Sequence, residues 1–219
     1  MDKNNNSNNQ PVLASVLEPT DENIKKCAEY ILQGGIVGMP TETVYGVGVR
    51  FDDEEAYERL CKAKNRRPEK AIAVMCSSSF PLDKYFEISE GAKRVMDKFL
   101  PGPLTCLVKA KESAPYQTHL GTGIAGIRIP AKEELLSFLS SLPFALQVTS
   151  ANISGEPATA EFSEVYETFK DKEEVHGIVK GTCQSGTPTT VVDLTKEKPI
   201  IIRQGDITME EIEKAFYNK

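Results

Sequence analysis

Residues 36–46 have the sequence IVGMPTETVYG, in which an apolar segment runs directly into a polar turn. The first part, Ile36–Met39, predicts a short strand that is buried on both faces, because no polar side chain interrupts it. Upstream, apolar residues within 24–32 recur at helical spacing, and the pair Gly34-Gly35 then predicts the end of that helix. A helix followed closely by a doubly buried strand is typical of an α/β fold.

The rest of the chain alternates between helical and strand patterns. The predicted helices lie at 53–64, 89–100, 133–140 and 162–169, and Thr208 and Glu211 have capping-box spacing for a last one. The predicted strands lie at 71–76, 104–108, 126–129, 145–149, 178–179, 190–194 and 200–203. We therefore predict one α/β domain around a largely buried, mixed sheet, without an internal repeat.

The composition indicates a globular chain that does not span a membrane. No apolar run among the 219 residues approaches the roughly 20 residues that cross a bilayer. The first ten residues are rich in Asn and lack Arg and an apolar core, so they match neither a secretory signal nor a transit peptide. We predict a disordered tail over residues 1–16, a folded domain over residues 17–219 and a cytoplasmic location.

The cysteines and histidines restrict the chemistry that the chain can perform. Five widely spaced cysteines without a C-x-x-C pair indicate free thiols in a reducing compartment. Only His119 and His176 are present, which excludes a metal site built from several histidines. A single buried His or Cys nucleophile stays open as an alternative.

The charge is negative overall but basic in one segment. A net charge of −6 argues against a protein that coats nucleic acid. Five basic residues nevertheless fall within nine positions, at the end of the second predicted helix and on the loop that follows it: Lys62, Lys64, Arg66, Arg67 and Lys70. Arginine forks and lysine ammonium groups together suit a triphosphate. A solvated basic surface loop explains the same pattern equally well.

Polar side chains also follow several apolar strands. Thr41–Gly46 comes after a buried strand, at the kind of position where α/β sheets bind ligands, although a strand-to-helix turn explains these residues as well. Ser150–Gly155 lets a nucleotide approach the backbone, or forms an Asx or Ser turn without a ligand. Arg128 lies inside an apolar strand and needs a partner, which is either an internal carboxylate or that of a ligand. Arg203 ends another apolar run.

The order of these motifs resembles one known family. PTETVYG, K-x-R with a following Lys, PGPLT, a strand ending in RIP, SANISG, TTVVD and IIIRQG succeed one another over residues 22–213. This succession resembles the YrdC-type threonylcarbamoyl-AMP synthase family, in its short, single-domain form. The resemblance implies a twisted α/β sheet flanked by helices, with a deep, basic cavity that binds ATP without a P-loop.

The resemblance also implies roles for individual residues. The substrate L-threonine would contact Thr43, Tyr45, the carboxylate-binding Arg128 and the backbone of Val148. The catalytic set that grips the triphosphate of ATP would be Lys64, Arg66 and Lys70. The nucleotide would further contact Ser150, Asn152 and Arg203.

The implied reaction joins ATP, L-threonine and bicarbonate into threonylcarbamoyl-AMP and pyrophosphate. Mg²⁺ would accompany the ATP, without a dedicated protein metal site. A downstream transferase would use the product to form threonylcarbamoyladenosine at position 37 of tRNA, and tRNA itself would bind weakly or not at all. Three positions depart from the family pattern: Met75 stands in place of a frequent His, Ala158 of a Ser, and Ile124 of a Thr.

Two other functions stay open at this point. The cavity of an RNA-binding module would also be basic, although the net charge of −6 disfavours continuous RNA binding. A related carbamoyl-adenylate-forming domain of hydrogenase maturation would share the motifs. That protein carries paired cysteines of the zinc-finger type, which this sequence lacks.

Overall fold

A computed structural model describes residues 13–218 of the chain. Most of the predicted disordered tail, residues 1–12, lies outside the described residues. The predicted boundary after residue 16 is wrong, because Ser15–Leu17 form a strand that pairs with residues 177–179. The ordered domain therefore begins before residue 17.

Eleven strands are found within residues 13–218. They are β1 (Ser15–Leu17), β2 (Ile36–Met39), β3 (Gly46–Arg50), β4 (Val74–Met75), β5 (Phe86–Glu87), β6 (Leu104–Ala110), β7 (Ile124–Arg128), β8 (Leu146–Ser150), β9 (Val175–Val179), β10 (Thr190–Asp193) and β11 (Ile200–Arg203).

The same part of the chain has seven α-helices and one 3-10 helix. They are α1 (Asp21–Leu32), α2 (Glu54–Ala63), α3 (Leu82–Tyr85), α4 (Glu90–Phe99), the 3-10 helix Tyr116–Thr118, α5 (Glu133–Ser141), α6 (Phe162–Phe169) and α7 (Met209–Phe216).

The strands form one mixed sheet, as predicted. Their order is β1-β9-β2-β3-β8-β4-β7-β6-β10-β11, and β5 pairs with β6 outside this path. β9 is parallel to both β1 and β2, β4 is parallel to β7, and β6 is parallel to β10. The remaining neighbours are antiparallel, including β3 with β8 and β6 with β7.

Helices cover the sheet on both faces. Along β2, Ile36 belongs to one buried cluster, whereas Val37 and Met39 belong to another, as expected when side chains alternate along a strand. The cluster of Ile36 includes residues of α2 and α6. The cluster of Val37 includes residues of α1, α4, α5 and α7. The predicted double burial of this strand is therefore confirmed.

Local capping explains why the predicted helices begin where they do. The hydroxyl of Thr20 accepts from the backbone N–H of Asn23, and the carboxylate of Asp53 accepts from that of Ala56. Thr208 forms the predicted capping box, because Glu211 also accepts from the backbone N–H of Thr208.

Two predictions about strands differ from the structure. The predicted strand 71–76 is reduced to Val74–Met75, since the carbonyl oxygen of Ala71 accepts from the Arg66 guanidinium instead of joining the sheet. β3 was not predicted, because its alternation of glycine and valine, GVGVR, has no polar face that would indicate a strand. This strand makes the PTETVYG segment the connection of an antiparallel pair, β2 and β3, rather than a strand-to-helix turn.

Candidate functional site

A cavity of about 510 Å³ lies over the central strands of the sheet. The turn between β2 and β3 contributes to its wall, together with residues of β6, β7 and β8. Its lining includes seven of the residues discussed below: Thr43, Tyr45, Arg66, Arg128, Val148, Ser150 and Arg203. Seven of the ten residues to which the sequence assigns a role therefore border one space.

Hydroxyl groups of the β2–β3 turn form one side of the cavity. The Oγ1 atoms of Thr41 and Thr43 lie 2.9 Å apart. The Thr41 hydroxyl also donates to the carbonyl oxygen of Val44 at 2.8 Å and accepts from the backbone N–H of Thr43 at 3.0 Å. Both threonines are 1 % exposed, so their hydroxyls hold the turn in one shape.

Arg128, at the end of β7, contacts this turn through a single nitrogen. Its Nη2 donates to Thr43 Oγ1 at 2.8 Å, to Glu42 Oε1 at 2.9 Å and to Thr41 Oγ1 at 3.1 Å. The Glu42 carboxylate forms an ion pair with it, and the two side chains are 6 % and 12 % exposed. The partner that the sequence required is thus an internal carboxylate, and the guanidinium still lines the cavity.

Tyr45 is buried completely, and its hydroxyl is not free to reach a ligand. The phenolic O–H is within hydrogen-bonding distance of two carbonyl oxygens, those of Gly181 at 2.9 Å and Val179 at 3.2 Å. Burial raises the pKa of the Tyr45 hydroxyl well above its usual range. The residue therefore shapes the wall of the cavity by its position, with its polar atom turned to the backbone.

Lys64 does not line the cavity, although it lies in the basic segment. The residue is 1 % exposed, and its ammonium donates to the carbonyl oxygens of Ser150 and Asn152. Burial, and then the neighbouring charge of Arg66, lower the pKa of Lys64 to about 8. Lys64 therefore supports the segment after β8 through its carbonyl oxygens, and its ammonium does not face the cavity.

Ser150 and Asn152 differ in their relation to the cavity. Ser150 ends β8 and belongs to the lining, whereas Asn152 does not. The Asn152 amide nitrogen donates to the carbonyl oxygens of Ile153 at 2.9 Å and Glu156 at 2.8 Å. Its Oδ1 is buried and has no hydrogen-bond partner among the described residues. The side chain thus braces its own segment by donating to two backbone carbonyl oxygens.

The loop between α2 and β4 brings Arg66 to the cavity and leaves Lys70 outside its lining. Nη2 of Arg66 donates to the carbonyl oxygens of Lys70 at 3.0 Å and Ala71 at 3.1 Å. The guanidinium therefore braces its own loop. Lys70 itself is exposed, so its ammonium group is solvated in this arrangement.

Arg203 is the last residue of β11, the edge strand at the end of the sheet order, and its side chain lines the cavity. Its Nε donates to the carbonyl oxygen of Thr189 at 3.0 Å, and its Nη2 donates to the Thr189 hydroxyl at 2.9 Å. Partial burial, and then the positive charge of Arg128, lower the pKa of Arg203 from its usual value. The two guanidinium groups therefore share one electrostatic environment.

A family model described as "Telomere recombination" (Sua5_yciO_yrdC) matches residues 29–205. The chain belongs to the Sua5/YciO/YrdC family. This finding confirms the family resemblance of the motifs.

Two curated members of the Sua5/YciO/YrdC family illustrate the similarity. The chain is 35 % identical over 207 residues to the threonylcarbamoyl-AMP synthase of Pyrococcus abyssi, a match that covers 94 % of this chain and 61 % of that protein. It is 32 % identical over 208 residues to a putative threonylcarbamoyl-AMP synthase of Methanocaldococcus jannaschii, which covers 93 % and 97 % respectively. The chain therefore spans less than two thirds of the first relative and nearly all of the second.

A solved structure of the family has the same fold. The crystal structure of Pyrococcus abyssi Sua5 complexed with L-threonine matches with a TM-score of 0.84 at 31 % identity, over 93 % of this chain and 60 % of that one. The predicted single α/β domain with a mixed sheet is confirmed by this likeness.

The three positions at which the resemblance implies a departure from the family pattern occupy different surroundings. Ile124 and Ala158 line the cavity, so apolar side chains form its wall at both positions. Met75 is 1 % exposed in β4 and lies outside the lining. A thioether thus fills core space beside Arg128, with which Met75 is paired across the sheet.

Three further polar residues within the sequence motifs make contacts at this site, although the sequence assigns no role to them. Thr105 and Thr189 line the cavity, and their hydroxyls lie 2.9 Å apart. Glu42 is the acid in PTETVYG and pairs with Arg128. The sequence signal for all three residues is that each belongs to a motif at one end of a strand. Their partners, Thr189 for Thr105 and Arg128 for Glu42, become evident only in the folded chain.

The described residues contain neither a membrane helix nor a clustered metal site. Among residues 13–218, no helix combines the length and the apolar character needed to cross a bilayer. Within those same residues, no group of three or more His, Cys, Asp or Glu side chains is arranged to hold a metal ion.

Proposed function

We propose that this chain condenses ATP, L-threonine and bicarbonate into threonylcarbamoyl-AMP and pyrophosphate. The observation that carries the proposal is one cavity in which two threonine hydroxyls surround Arg128, while Arg66 and Arg203 supply further positive charge. The named function of the similar Pyrococcus abyssi protein, and the threonine complex of its Sua5, support the same assignment.

The amino acid occupies the position beside Arg128. This guanidinium suits a carboxylate, because its planar fork presents several N–H donors in one plane. Thr43 offers its hydroxyl next to Arg128, and Val148 borders the same space at 7 % exposure. Tyr45 sets the shape of this wall through its buried ring.

The triphosphate lies against Arg66 and Arg203. Both side chains line the cavity and donate to uncharged oxygens, which leaves their positive charge available to an anion. Lys70 follows Arg66 on the same exposed loop and adds its charge to the phosphate-binding set. Ser150 borders the nucleotide.

Lys64 acts mainly as a positioning residue. Its ammonium binds the carbonyl oxygens of Ser150 and Asn152, so it sets the path of the segment that borders the nucleotide. Asn152 keeps that segment in its turn through the carbonyl oxygens of Ile153 and Glu156.

The chemistry requires positioning rather than a protein nucleophile. The threonine ammonium first releases a proton to solvent, and the freed amine forms a bond to the carbon of bicarbonate or CO2. Water leaves when bicarbonate is used, and a second proton leaves when CO2 is used. An oxygen of the resulting carboxylate then attacks the α-phosphorus of ATP, and the bond to pyrophosphate breaks. A site of arginines and hydroxyls accelerates such steps by holding the reactants together and stabilising the developing negative charge.

Mg²⁺ accompanies the triphosphate in this proposal. The cation would be held chiefly by phosphate oxygens and water, which are the ligands that Mg²⁺ prefers in nucleotide complexes. The residues of this chain then contribute by binding and orienting the nucleotide. We place the reaction in the cytosol, where free thiols such as those of the five unpaired cysteines persist.

Product analysis tests the proposal directly. The purified chain is incubated with ATP, L-threonine and bicarbonate, and the products are identified by mass spectrometry alongside a pyrophosphate assay. Threonylcarbamoyl-AMP should form only when all three substrates are present. Carbamoyl phosphate in place of threonine and bicarbonate is the control for a carbamoyl-adenylate-forming enzyme, and product from that mixture alone would refute our assignment.

Transfer to tRNA requires a separate enzyme in this proposal. Labelled threonine is followed into tRNA with the purified chain, with and without a cell extract. We expect pyrophosphate release without incorporation, and incorporation once the extract is added. Efficient incorporation by the purified chain alone would show that it also performs the transfer. A tRNA mobility shift insensitive to ATP and threonine, without any product, would favour an RNA-binding module.

A further inference from the structure

Three arginines line the cavity, and one of them differs from the others in its charge balance. Within residues 13–218, Arg128 forms an ion pair with Glu42, with 2.9 Å between Nη2 and Oε1. Arg66 and Arg203 form no ion pair in that part of the chain, and donate to carbonyl and hydroxyl oxygens instead. The positive charge is therefore offset at Arg128 alone.

Stability is a weak reason for this ion pair. Glu42 is buried and Arg128 is only 12 % exposed, yet the buried atoms Oε2 of Glu42 and Nε of Arg128 have no hydrogen-bond partner among the described residues. A buried ion pair repays its desolvation only when its remaining polar atoms are also satisfied. The pair is therefore better explained by what it does to the cavity.

Glu42 is also not required to keep Arg128 in place. The hydroxyls of Thr41 and Thr43 accept from the same Nη2, so three acceptors surround a nitrogen that carries two hydrogens. The turn itself is held by backbone bonds from Ser185 to the Glu42 carbonyl oxygen at 3.1 Å and from Gly186 to that of Thr43 at 2.9 Å. The distinct contribution of Glu42 is its negative charge.

We propose that Glu42 is a specificity-determining residue, whose charge offsets that of Arg128 so that this position accepts a net-neutral amino acid and disfavours anions. The inference rests on the proposed function and names the charge class of the ligand beside Arg128. A zwitterion brings an ammonium as well as a carboxylate near Glu42, so attraction and repulsion largely cancel, whereas an anion is only repelled. The triphosphate in the same cavity is thereby directed to Arg66 and Arg203.

A pair of matched ligands tests this inference. L-threonine is compared with 3-hydroxybutyrate, which keeps the carboxylate and the hydroxyl but lacks the ammonium, by calorimetric titration. The wild-type chain should bind threonine at least tenfold more tightly. In Glu42→Gln, which keeps the shape and removes the charge, this ratio should fall at least fivefold. In Glu42→Gln, inorganic pyrophosphate should also compete with threonine at a lower concentration than it does in the wild-type chain.

Controls separate a charge effect from a structural one. Glu134→Gln removes an exposed carboxylate paired with Lys132 and should leave the ratio unchanged. Glu42→Asp keeps the charge and should keep the preference for threonine, which provides a test if Glu42→Gln does not fold. A purely structural role would weaken both ligands equally, and an unchanged ratio in Glu42→Gln would overturn this inference alone. Equal affinity of the wild-type chain for threonine and 3-hydroxybutyrate would also overturn this inference without affecting the proposed function.

Failure of the proposed function has a different signature. A wild-type chain that binds neither threonine nor 3-hydroxybutyrate would overturn the proposed function and this inference together.

Discussion

The Nζ of Lys64 lies 2.5 Å from the carbonyl oxygen of Asn152. The same ammonium donates to the carbonyl oxygen of Ser150, and the backbone N–H of Ser154 donates in return to the carbonyl oxygen of Lys64 at 2.8 Å. Lys64 is the C-cap of α2, so these bonds attach the segment after β8 to the end of that helix. The position of the helix therefore fixes one wall of the cavity.

Lys64→Met should destabilise the fold by roughly 1–3 kcal/mol, because it leaves two inward-facing carbonyl oxygens without their donor. The measurement is the free energy of unfolding in urea. Lys70→Met is the matched control, since Lys70 is exposed on the adjoining loop and its replacement should change stability by less than about 0.5 kcal/mol. Equal effects from the two variants would show that the buried contacts of Lys64 are not what stabilises this segment.

The lowered pKa of Lys64 makes a prediction about pH. The folded chain releases this proton near pH 8, whereas the unfolded chain keeps it up to the usual value of 10.5. Between these values the unfolded state binds more protons, so the stability contributed by Lys64 should rise with pH. The neutral amine still carries two N–H groups and can donate to both carbonyl oxygens.

Wild-type and Lys64→Met stabilities should therefore diverge as the pH rises from 8 to 10.5. The difference should grow by up to about 3 kcal/mol, on the scale of 1.36 kcal/mol per pKa unit. The measurement is urea unfolding of both chains across this range. Because other groups that titrate there are present in both chains, their contributions cancel in the difference between the two stabilities. Parallel curves would contradict the burial of a charged ammonium at this position.

Arg66→Ala should weaken ATP binding by roughly 10- to 100-fold, the equivalent of one charge-assisted hydrogen bond. The reason is that Arg66 lines the cavity while its neighbour Arg67 does not. Arg67→Ala is therefore the matched control, and calorimetric titration of ATP into folded variants is the measurement. Equal losses of ATP affinity from both variants would indicate a general charge effect of an exposed loop. No loss from Arg66→Ala would support the alternative that this loop is a solvated surface without a ligand.

Most of the helices could be predicted because their signals are local. Thr20, Asp53, Ser89 and Thr208 each cap the helix that follows, and each lies within three residues of the N–H group that it accepts from. The strands were harder to predict at their limits. β3 has glycines at alternate positions, and such a pattern lacks the polar face that identifies a half-buried strand.

The partners within the site depend on topology, which the sequence does not contain. Glu42 and Arg128 are separated by 86 residues and meet because the β2–β3 turn lies beside the end of β7. The burial of Lys64 did have a signal. Tyr57, Leu60 and Cys61 form the buried stripe of α2, and position 64 continues this stripe at helical spacing. Because the neighbouring residues are also basic, the sequence instead favours a role for Lys64 in binding the triphosphate.

Gly46→Ala should narrow the cavity beside Thr41. A Cβ atom at position 46 would lie 2.7 Å from Cγ1 of Val148 and 3.9 Å from Cγ2 of Thr41. The first distance is too short for carbon atoms in contact, and Val148 is β-branched, so its side chain cannot easily rotate away. The added methyl group should cost roughly 1–3 kcal/mol in stability, as overpacking does in other buried positions. It should also weaken threonine binding.

The double variant Gly46→Ala/Val148→Ala should recover much of that loss. Removing Cγ1 and Cγ2 of Val148 opens the space that the new methyl group fills, so the two changes compensate in volume. The measurements are urea unfolding and calorimetric titration of L-threonine for the single and double variants. Additive losses in the double variant would show that the contact between positions 46 and 148 is not what limits the cavity. Recovery of stability without recovery of threonine binding would instead place the ligand directly against the side chain of Val148.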